Sequence, residues 1–299
     1  MRPPPEALVL SVPSTLGEAA QAVSRHLQGA GIDGSNLDAR LLVSFGADMA
    51  PETILIYPET ELGADERDRI ETLVARRIAR EPMSHILGER EFWSMNFEVT
   101  PDTLTPRPDT ECLVETALGV IRGSAPSEHV SILDLGTGSG CILLALLSEL
   151  PNANGVGVDL NAGALAVAQR NAKRHGLEQR VDFVSGSWFS GVRSGFDLIV
   201  SNPPYIESGE IGLLEPEVAE YEPLLALDGG PDGLGAYREI CANAATVLNV
   251  GGTVVLEIGM SQSQAVTEIL EAAGFLSIRT CSDLAGRDRI VMATCPKIE

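Results

Sequence analysis

The stretch Ser131-Ile132-Leu133-Asp134-Leu135-Gly136-Thr137-Gly138-Ser139-Gly140 decides the fold. It reads as a strand running into a glycine turn, and the apolar helix Cys141-Ile142-Leu143-Leu144-Ala145-Leu146 follows at once. Glycine suits such a turn because backbone can approach a ligand closely there and adopt positive φ without steric cost. In open α/β sheets a turn of this kind sits at the carboxyl end of the first strand, where ligands bind. A second strand, Gly155-Val156-Gly157-Val158-Asp159, ends in an acid suited to accept hydrogen bonds from ribose hydroxyls. A glycine turn alone is as readily a purely structural turn. The strand before it and the acid after it point to a nucleoside site.

Working outward, strand candidates fall at 130–135, 155–159, 181–185, 196–201, 253–258, 276–280 and 289–293, with helical stretches such as 164–175 between the early ones. Alternation of this kind implies parallel βαβ units in a doubly wound, mostly parallel seven-stranded α/β sheet. The last two strands are close in sequence, so a hairpin is expected, with one antiparallel strand at the sheet edge. The first 80 or so residues read as helical. Thr15-Leu16-Gly17-Glu18 fits a capping box, and Leu16, Ala20, Val23 and Leu27 share one helix face. A second helix is expected over 37–45 and a third over 64–79, with Ile70, Leu73, Val74 and Ile78 on one side and Arg67, Arg69, Arg76, Arg77 and Arg80 on the other. That arginine set reads either as a solvated face paired with nearby acids or as a docking surface for an acidic or RNA-bound partner. A loosely alternating, then Pro-rich stretch around 90–111 suits a short hairpin and linker. The expected divisions are a small all-helical domain over 1–86, a β-hairpin linker over 87–108 and a catalytic domain over 109–299.

The fourth strand leads into Asn202-Pro203-Pro204-Tyr205, beside the glycine turn's cleft. Asn-Pro-Pro after a strand can be no more than a rigid turn, but its chemistry fits methyl transfer to a planar amide or exocyclic amine. Such a nitrogen has its lone pair conjugated away, so two acceptors must grip its hydrogens and aim it at an electrophilic methyl. The Asn202 side-chain oxygen supplies one and the Pro203 carbonyl the other, with consecutive prolines fixing φ. Tyr205 can stack on the flat target. Catalysis is then mainly orientation and electrostatic preorganisation. The dinucleotide fingerprint is G-x-G-x-x-G, whereas here the third glycine comes one place early. S-adenosylmethionine, which has no pyrophosphate to cradle, suits that spacing. Trp188 in Ser185-Gly186-Ser187-Trp188-Phe189 can stack on an adenine or serve as a core residue.

The Asp-Leu-Gly-Thr-Gly-Ser-Gly run of residues 134–140 together with Asn202-Pro203-Pro204-Tyr205 resembles the class I amino-methyltransferases. Within them, Arg107-Pro108-Asp109-Thr110-Glu111, Glu91-Phe92-Trp93, Glu222-Pro223-Leu224 and Leu256-Glu257-Ile258-Gly259 are similar to the release-factor glutamine N5-methyltransferases, over nearly the whole chain. The resemblance implies methylation of the glutamine in the Gly-Gly-Gln motif of class-1 peptide chain release factors, with S-adenosylmethionine as donor. It implies a cofactor site of Gly136, Thr137, Gly138, Ser139, Gly140, Asp159, Trp188 and Asn202, and a substrate and catalytic site of Asn202, Pro203, Pro204 and Tyr205. One position departs: the family often has an Asp immediately before the adenine-side Trp, and here Ser187 stands there, an acceptor without charge. Arg107-Pro108-Asp109-Thr110-Glu111 also reads simply as a Pro-stiffened helix start with acids in the first turn.

Composition narrows the classes. With 44% hydrophobic and 21% charged residues the chain can build a core unaided. Its 21 basic against 42 acidic residues give −21, and the part after Arg90 carries 12 basic against 28 acidic. Such a field repels phosphate backbones and favours basic partners, which weighs against the main alternative, a nucleic-acid adenine-N6 methyltransferase using the same tetrad. A third alternative, a non-enzymatic cofactor-binding scaffold, leaves the paired acceptors unexplained. The five cysteines and four histidines are scattered without metal-ligand spacing, so neither metal nor disulfide is expected. No apolar run reaches the ~18 residues of a membrane span, and the N-terminal apolar stretch is too short and Pro-broken for a signal peptide. The expectation is a cytoplasmic monomer.

Overall fold

The computed structural model describes residues 8–10, 14–123, 129–283 and 285–296. The Pro-broken stretch at the N-terminus, weighed above as a leader, lies largely outside them. The chain forms two compact units, one of residues up to Gly88 with Pro216–Tyr221, the other of Glu89–Glu215 and the chain from Glu222 on.

The first unit packs helices Leu16–Gly29, Ser35–Gly46 and Ala64–Ile78 with the short helices Thr53–Ile56 and Met83–Leu87. The expected capping box is formed: Thr15 Oγ1 accepts from the Glu18 amide at 3.4 Å, and the Glu18 carboxylate accepts from the Thr15 amide at 3.0 Å. Leu16, Val23, Leu27, Leu42, Val43, Ile70 and Val74 form its core, each fully buried side chain contributing roughly 1.5–3 kcal/mol. The five arginines do not form an open face. Arg77 is only 8% exposed and donates to Asp38 at 2.8 Å and Glu217 at 2.9 Å. Arg80 reaches Glu217 at 3.1 Å and the Gly31 carbonyl at 3.0 Å. Arg76 pairs with Glu81, Arg69 with the Gly46 carbonyl and Arg67 with the Leu62 carbonyl. Each finds an acceptor inside the unit, and Arg77 and Arg80 together hold Pro216–Tyr221 through Glu217. The Tyr221 hydroxyl, donating to the Ala79 carbonyl at 2.6 Å, adds to that hold.

The second unit opens with the hairpin β1 (Glu89–Phe92) and β2 (Met95–Glu98), turned by Trp93 and Ser94 at φ 53° and 57°. Seven strands follow: β3 (Val130–Leu135), β4 (Ala153–Asp159), β5 (Val181–Ser185), β6 (Phe196–Ser201), β7 (Leu248–Glu257), β8 (Leu276–Ser282) and β9 (Asp288–Thr294), in the order β5-β4-β3-β6-β7-β9-β8. Alternate residues feed opposite layers. Ile132, Leu198 and Val255 pack with helices Glu111–Gly123 and Cys141–Glu149, while Leu133, Ile199 and Val254 pack with Gly235–Ala244 and Ser263–Ala272.

The antiparallel strand is not at the edge as expected. β9 pairs antiparallel with both β7 and β8 and sits between them. Composition explains the placement. Ile290, Val291 and Ala293 of β9 are fully buried, whereas β8, with Ser277, Arg279, Thr280 and Ser282, is mostly exposed and so suits the edge. The order reverses between β3 and β6, and their carboxyl ends carry Gly136 and Asn202. That switch point is where open α/β sheets bind ligands.

Candidate active site

At the end of β3 the amides of Gly136 and Thr137 both donate to the Val158 carbonyl at 2.9 Å. Gly136 and Gly138 take φ of 72° and 55°, which frees the turn's backbone to face outward. Asp159 closes the turn from β4. One of its oxygens accepts from the Gly138 amide and the other from the Asn161 amide, each at 2.8 Å. Burial raises the Asp159 carboxyl and these amides pull it back. A carboxylate offers about four lone-pair sites, so acceptor capacity remains for a ribose. Asn161 also caps helix Ala162–Arg174 by accepting from the Gly163 amide.

Asp134 was not singled out by the sequence reading. It is fully buried within β3 and accepts from the Thr137 hydroxyl at 2.6 Å. Burial, with the Asp159 charge adding, pushes its carboxyl up to about 7. The Thr137 hydroxyl therefore faces inward as a clamp on the turn. An acid inside an otherwise apolar strand was the signal that could have found it.

Trp188 is half-buried at φ 49°. It packs on the apolar layer beneath, and its Cζ3 lies 4.0 Å from where a Gly136 Cβ would stand. The indole packs on the core and lines the cleft. Ser187 is exposed beside it.

The tetrad follows β6, whose last residue Ser201 donates from its hydroxyl to the Leu135 carbonyl at 2.6 Å. Asn202 is half-buried, and its Nδ2 donates to Thr110 Oγ1 at 3.3 Å. A cavity of about 420 Å³ is lined by Gly136, Thr137, Gly138, Ser139, Asp159, Ser187, Trp188, Asn202 and Pro204, with Thr105, Arg107 and Gly229 at other walls. Gly140, Pro203 and Tyr205 are not among its lining residues. Tyr205 packs against an apolar layer, and burial with the nearby Glu257 charge pushes its phenol up to about 12.

Long-range contacts hold the tetrad's backbone. Gln262 Nε2 donates to the Tyr205 carbonyl at 3.0 Å while its Oε1 accepts from the Gly259 amide at 2.9 Å. Gly229 packs against Pro204 and Tyr205 so closely that a Cβ there would stand 2.8 Å from the Pro204 oxygen. Glu222, buried, accepts from the Thr105 amide at 3.1 Å and pairs with Arg107 at 3.5 Å, so the Glu-Pro-Leu stretch fixes the rim. Pro108–Thr110 forms a short 3-10 turn before helix Glu111–Gly123, and Asp109 in it pairs with Arg289 at 2.9 Å.

A nucleoside-type turn and a strand-end Asn in one cleft, at the switch point of a sheet of this order, define a class I methyltransferase. A solved methyltransferase structure from Pyrococcus furiosus shares the fold, with TM-score 0.50 and 18% identity over 74% of this chain and 97% of that one. Residues 18–88 match the PrmC N-terminal domain and 120–215 the Methyltransferase small domain. The chain belongs to the release factor glutamine methyltransferase family: the protein of that name from Caulobacter vibrioides is 45% identical over 95% of this chain and 98% of its own. The one from Rhodospirillum rubrum is 44% identical over 93% of this chain and 84% of its own.

Proposed function

We propose that the protein transfers a methyl group from S-adenosylmethionine to the side-chain amide nitrogen of the glutamine in the Gly-Gly-Gln motif of class-1 release factors. The observation that carries the reading is that one cavity is lined by both the glycine turn and Asn202. Its volume of about 420 Å³ lies within the usual range for small-molecule sites. An open glycine turn, an acid and an indole around it suit a nucleoside that bears no phosphate. Gly136, Thr137, Gly138 and Ser139 would hold the cofactor with Asp159 toward the ribose and Trp188 toward the adenine, and Asn202 would border it on the substrate side. When bound, S-adenosylmethionine supplies an electrophilic methyl on a sulfonium.

The chain's own residues supply orientation. Asn202 Oδ1 accepts one hydrogen of the substrate amide, and the Pro203 carbonyl is the second acceptor. Their grip fixes the nitrogen and favours the positive charge that develops on it during transfer. The alkylated nitrogen is acidic, so its proton leaves to water afterwards and no strong base is required. Pro204 forms the wall beside Asn202. The substrate is the folded release factor, the acidic surface is not a nucleic-acid site, and the reaction belongs to the cytoplasm. Among the described residues no helix is long and apolar enough to cross a membrane.

The test is Asn202→Ala. Loss of one preorganised polar contact typically costs ~10²–10³ in rate, and cofactor affinity by calorimetry is expected to fall far less. Single-turnover transfer within about threefold of the parent, well short of that range, would refute the role.

A further inference from the structure

We propose that Glu257 and Thr110 are positioning residues that fix which way the Asn202 amide faces. The proposal rests on the reading of Asn202 as an acceptor for the substrate amide. The two ends of an Asn side chain are nearly the same shape but opposite in hydrogen-bonding sense. Turned the wrong way, Asn202 would present N–H to the N–H of its substrate. The partners at its inner end therefore decide whether the site works.

Geometry supplies those partners. The parallel register of β6 on β7 sets Val200 opposite Val255 and Ser201 opposite Leu256, so Asn202 and Glu257 follow side by side. Glu257 is 2% exposed and Thr110 3% exposed. Thr110 Oγ1 accepts from Asn202 Nδ2 at 3.3 Å. The Thr110 hydroxyl and the Asn202 amide both act on the buried Glu257 carboxylate and favour its charged form. An ionised carboxylate only accepts, so beside it the Thr110 hydroxyl turns its own hydrogen toward Glu257 and is left to receive one from Asn202. The Asn202 amide nitrogen is thereby held inward, and Oδ1 is the end left for the cavity that Asn202 lines.

A buried acid is costly, and Glu257 Oε2 has no hydrogen-bond partner among the described residues. Packing alone gives no reason to keep it, because an apolar residue of similar size would fill the space. The orientation of Asn202 gives one. The charged and titratable neighbours come from every side. Asp109, before helix Glu111–Gly123, raises the Glu257 carboxyl, and Arg289 of β9, itself paired with Asp109 at 2.9 Å, lowers it. Tyr205, Tyr237 and Cys141 also feel its charge. Burial outweighs Arg289 and lifts the carboxyl to about 7. Protonated, Glu257 becomes a donor and can turn the amide around, so transfer should decline as pH falls through that range.

The experiment compares Asn202→Ala, Glu257→Gln, Thr110→Val and Thr110→Ser for single-turnover transfer to whole release factor. KM, calorimetric S-adenosylmethionine affinity and the pH profile are measured alongside. The Gln amide can donate to Asn202 Oδ1, so Glu257→Gln is expected to lose about 10²-fold in kcat, the scale of a small misplacement at the reacting centre. KM and cofactor affinity should stay near the parent, and the acid limb between about pH 6 and 8 should vanish. Thr110→Val should lose activity and Thr110→Ser should recover it, and this pair decides the matter if Glu257→Gln fails to fold. Parental kcat in both Glu257→Gln and Thr110→Val, with Asn202→Ala inactive, would overturn the proposal and leave the Asn202 reading intact. An active Asn202→Ala would overturn the reading beneath it.

Discussion

Gly229→Ala tests how tightly the tetrad must be held. A Cβ on Gly229 would stand 2.8 Å from the Pro204 oxygen, 2.8 Å from the Tyr205 Cα and 2.9 Å from the Gly233 Cα. All three are backbone atoms, so none can swing aside by changing rotamer. Ordinary contact begins near 3.4 Å, so Pro204 and Tyr205 must retreat by about 0.6 Å. A misplacement of about 1 Å at a reacting centre can cost ~10²-fold in rate, and scaled to this displacement the expected loss in kcat is about tenfold. Overpacking of this kind should also cost roughly 1–3 kcal/mol of stability. Single-turnover transfer and thermal unfolding on the same preparation check both. A parental kcat with the stability loss present would show that tetrad placement does not limit the rate. Parental values for both would refute the packing argument itself.

Three further outcomes follow from the same contacts. Asp159→Ala should weaken S-adenosylmethionine binding by roughly 1.5–3 kcal/mol and, because Asp159 also holds the Gly138 and Asn161 amides, should loosen the turn; an unchanged calorimetric dissociation constant would remove it from the site. Asp134 has its carboxyl raised from 3.8 to about 7 by burial, so the native state holds that proton more tightly than the unfolded chain and stability should fall as pH rises between these values. Asp134→Asn should flatten that slope, by up to roughly 4 kcal/mol at pH 8; melting temperatures that run parallel to the parent from pH 5 to 8 would contradict it. Arg77→Ala strands the nearly buried Asp38 and leaves Glu217 with Arg80 alone and should cost about 3 kcal/mol, visible as a lower unfolding midpoint; a midpoint shift equivalent to less than about 1 kcal/mol would mean the Asp38 pair is solvent-screened.

What the sequence made legible was local. Strands β3, β5 and β6 match the expected ranges to the residue because each is a short, mostly apolar run bounded by turn residues. The Thr15 cap and the glycine turn depend on residues a few positions apart. β7 begins at Leu248, five residues before the expected start, because Asn249-Val250-Gly251-Gly252 has the composition of a turn although it continues the strand. The place of β9 inside the sheet depends on which neighbour it pairs with, and no residue in it encodes that alone. The candidate site divides the same way. Gly136 to Ser139, Asp159, Trp188, Asn202 and Pro204 were found as motif residues and line one cavity. Thr110 and Glu257 lie in stretches that carry the family resemblance, but nothing in either stretch joins them to Asn202, and Gly229 and Gln262 look ordinary in their own segments. They gain meaning only when β7 is laid against β6. Tyr205 is expected to face the target with the rest of its motif, and the packing of its half-buried ring against an apolar layer is a contact that the motif does not encode.

The most direct measurement is transfer of a labelled methyl group from S-adenosylmethionine to purified class-1 release factor, to the same factor with the Gly-Gly-Gln glutamine changed to Ala, and to DNA, with the modified residue located by peptide mass spectrometry. The account predicts one methyl group on the side-chain amide nitrogen of that glutamine, none on the Ala variant and none on DNA. Label on adenine, or undiminished label on the Ala variant, would contradict it.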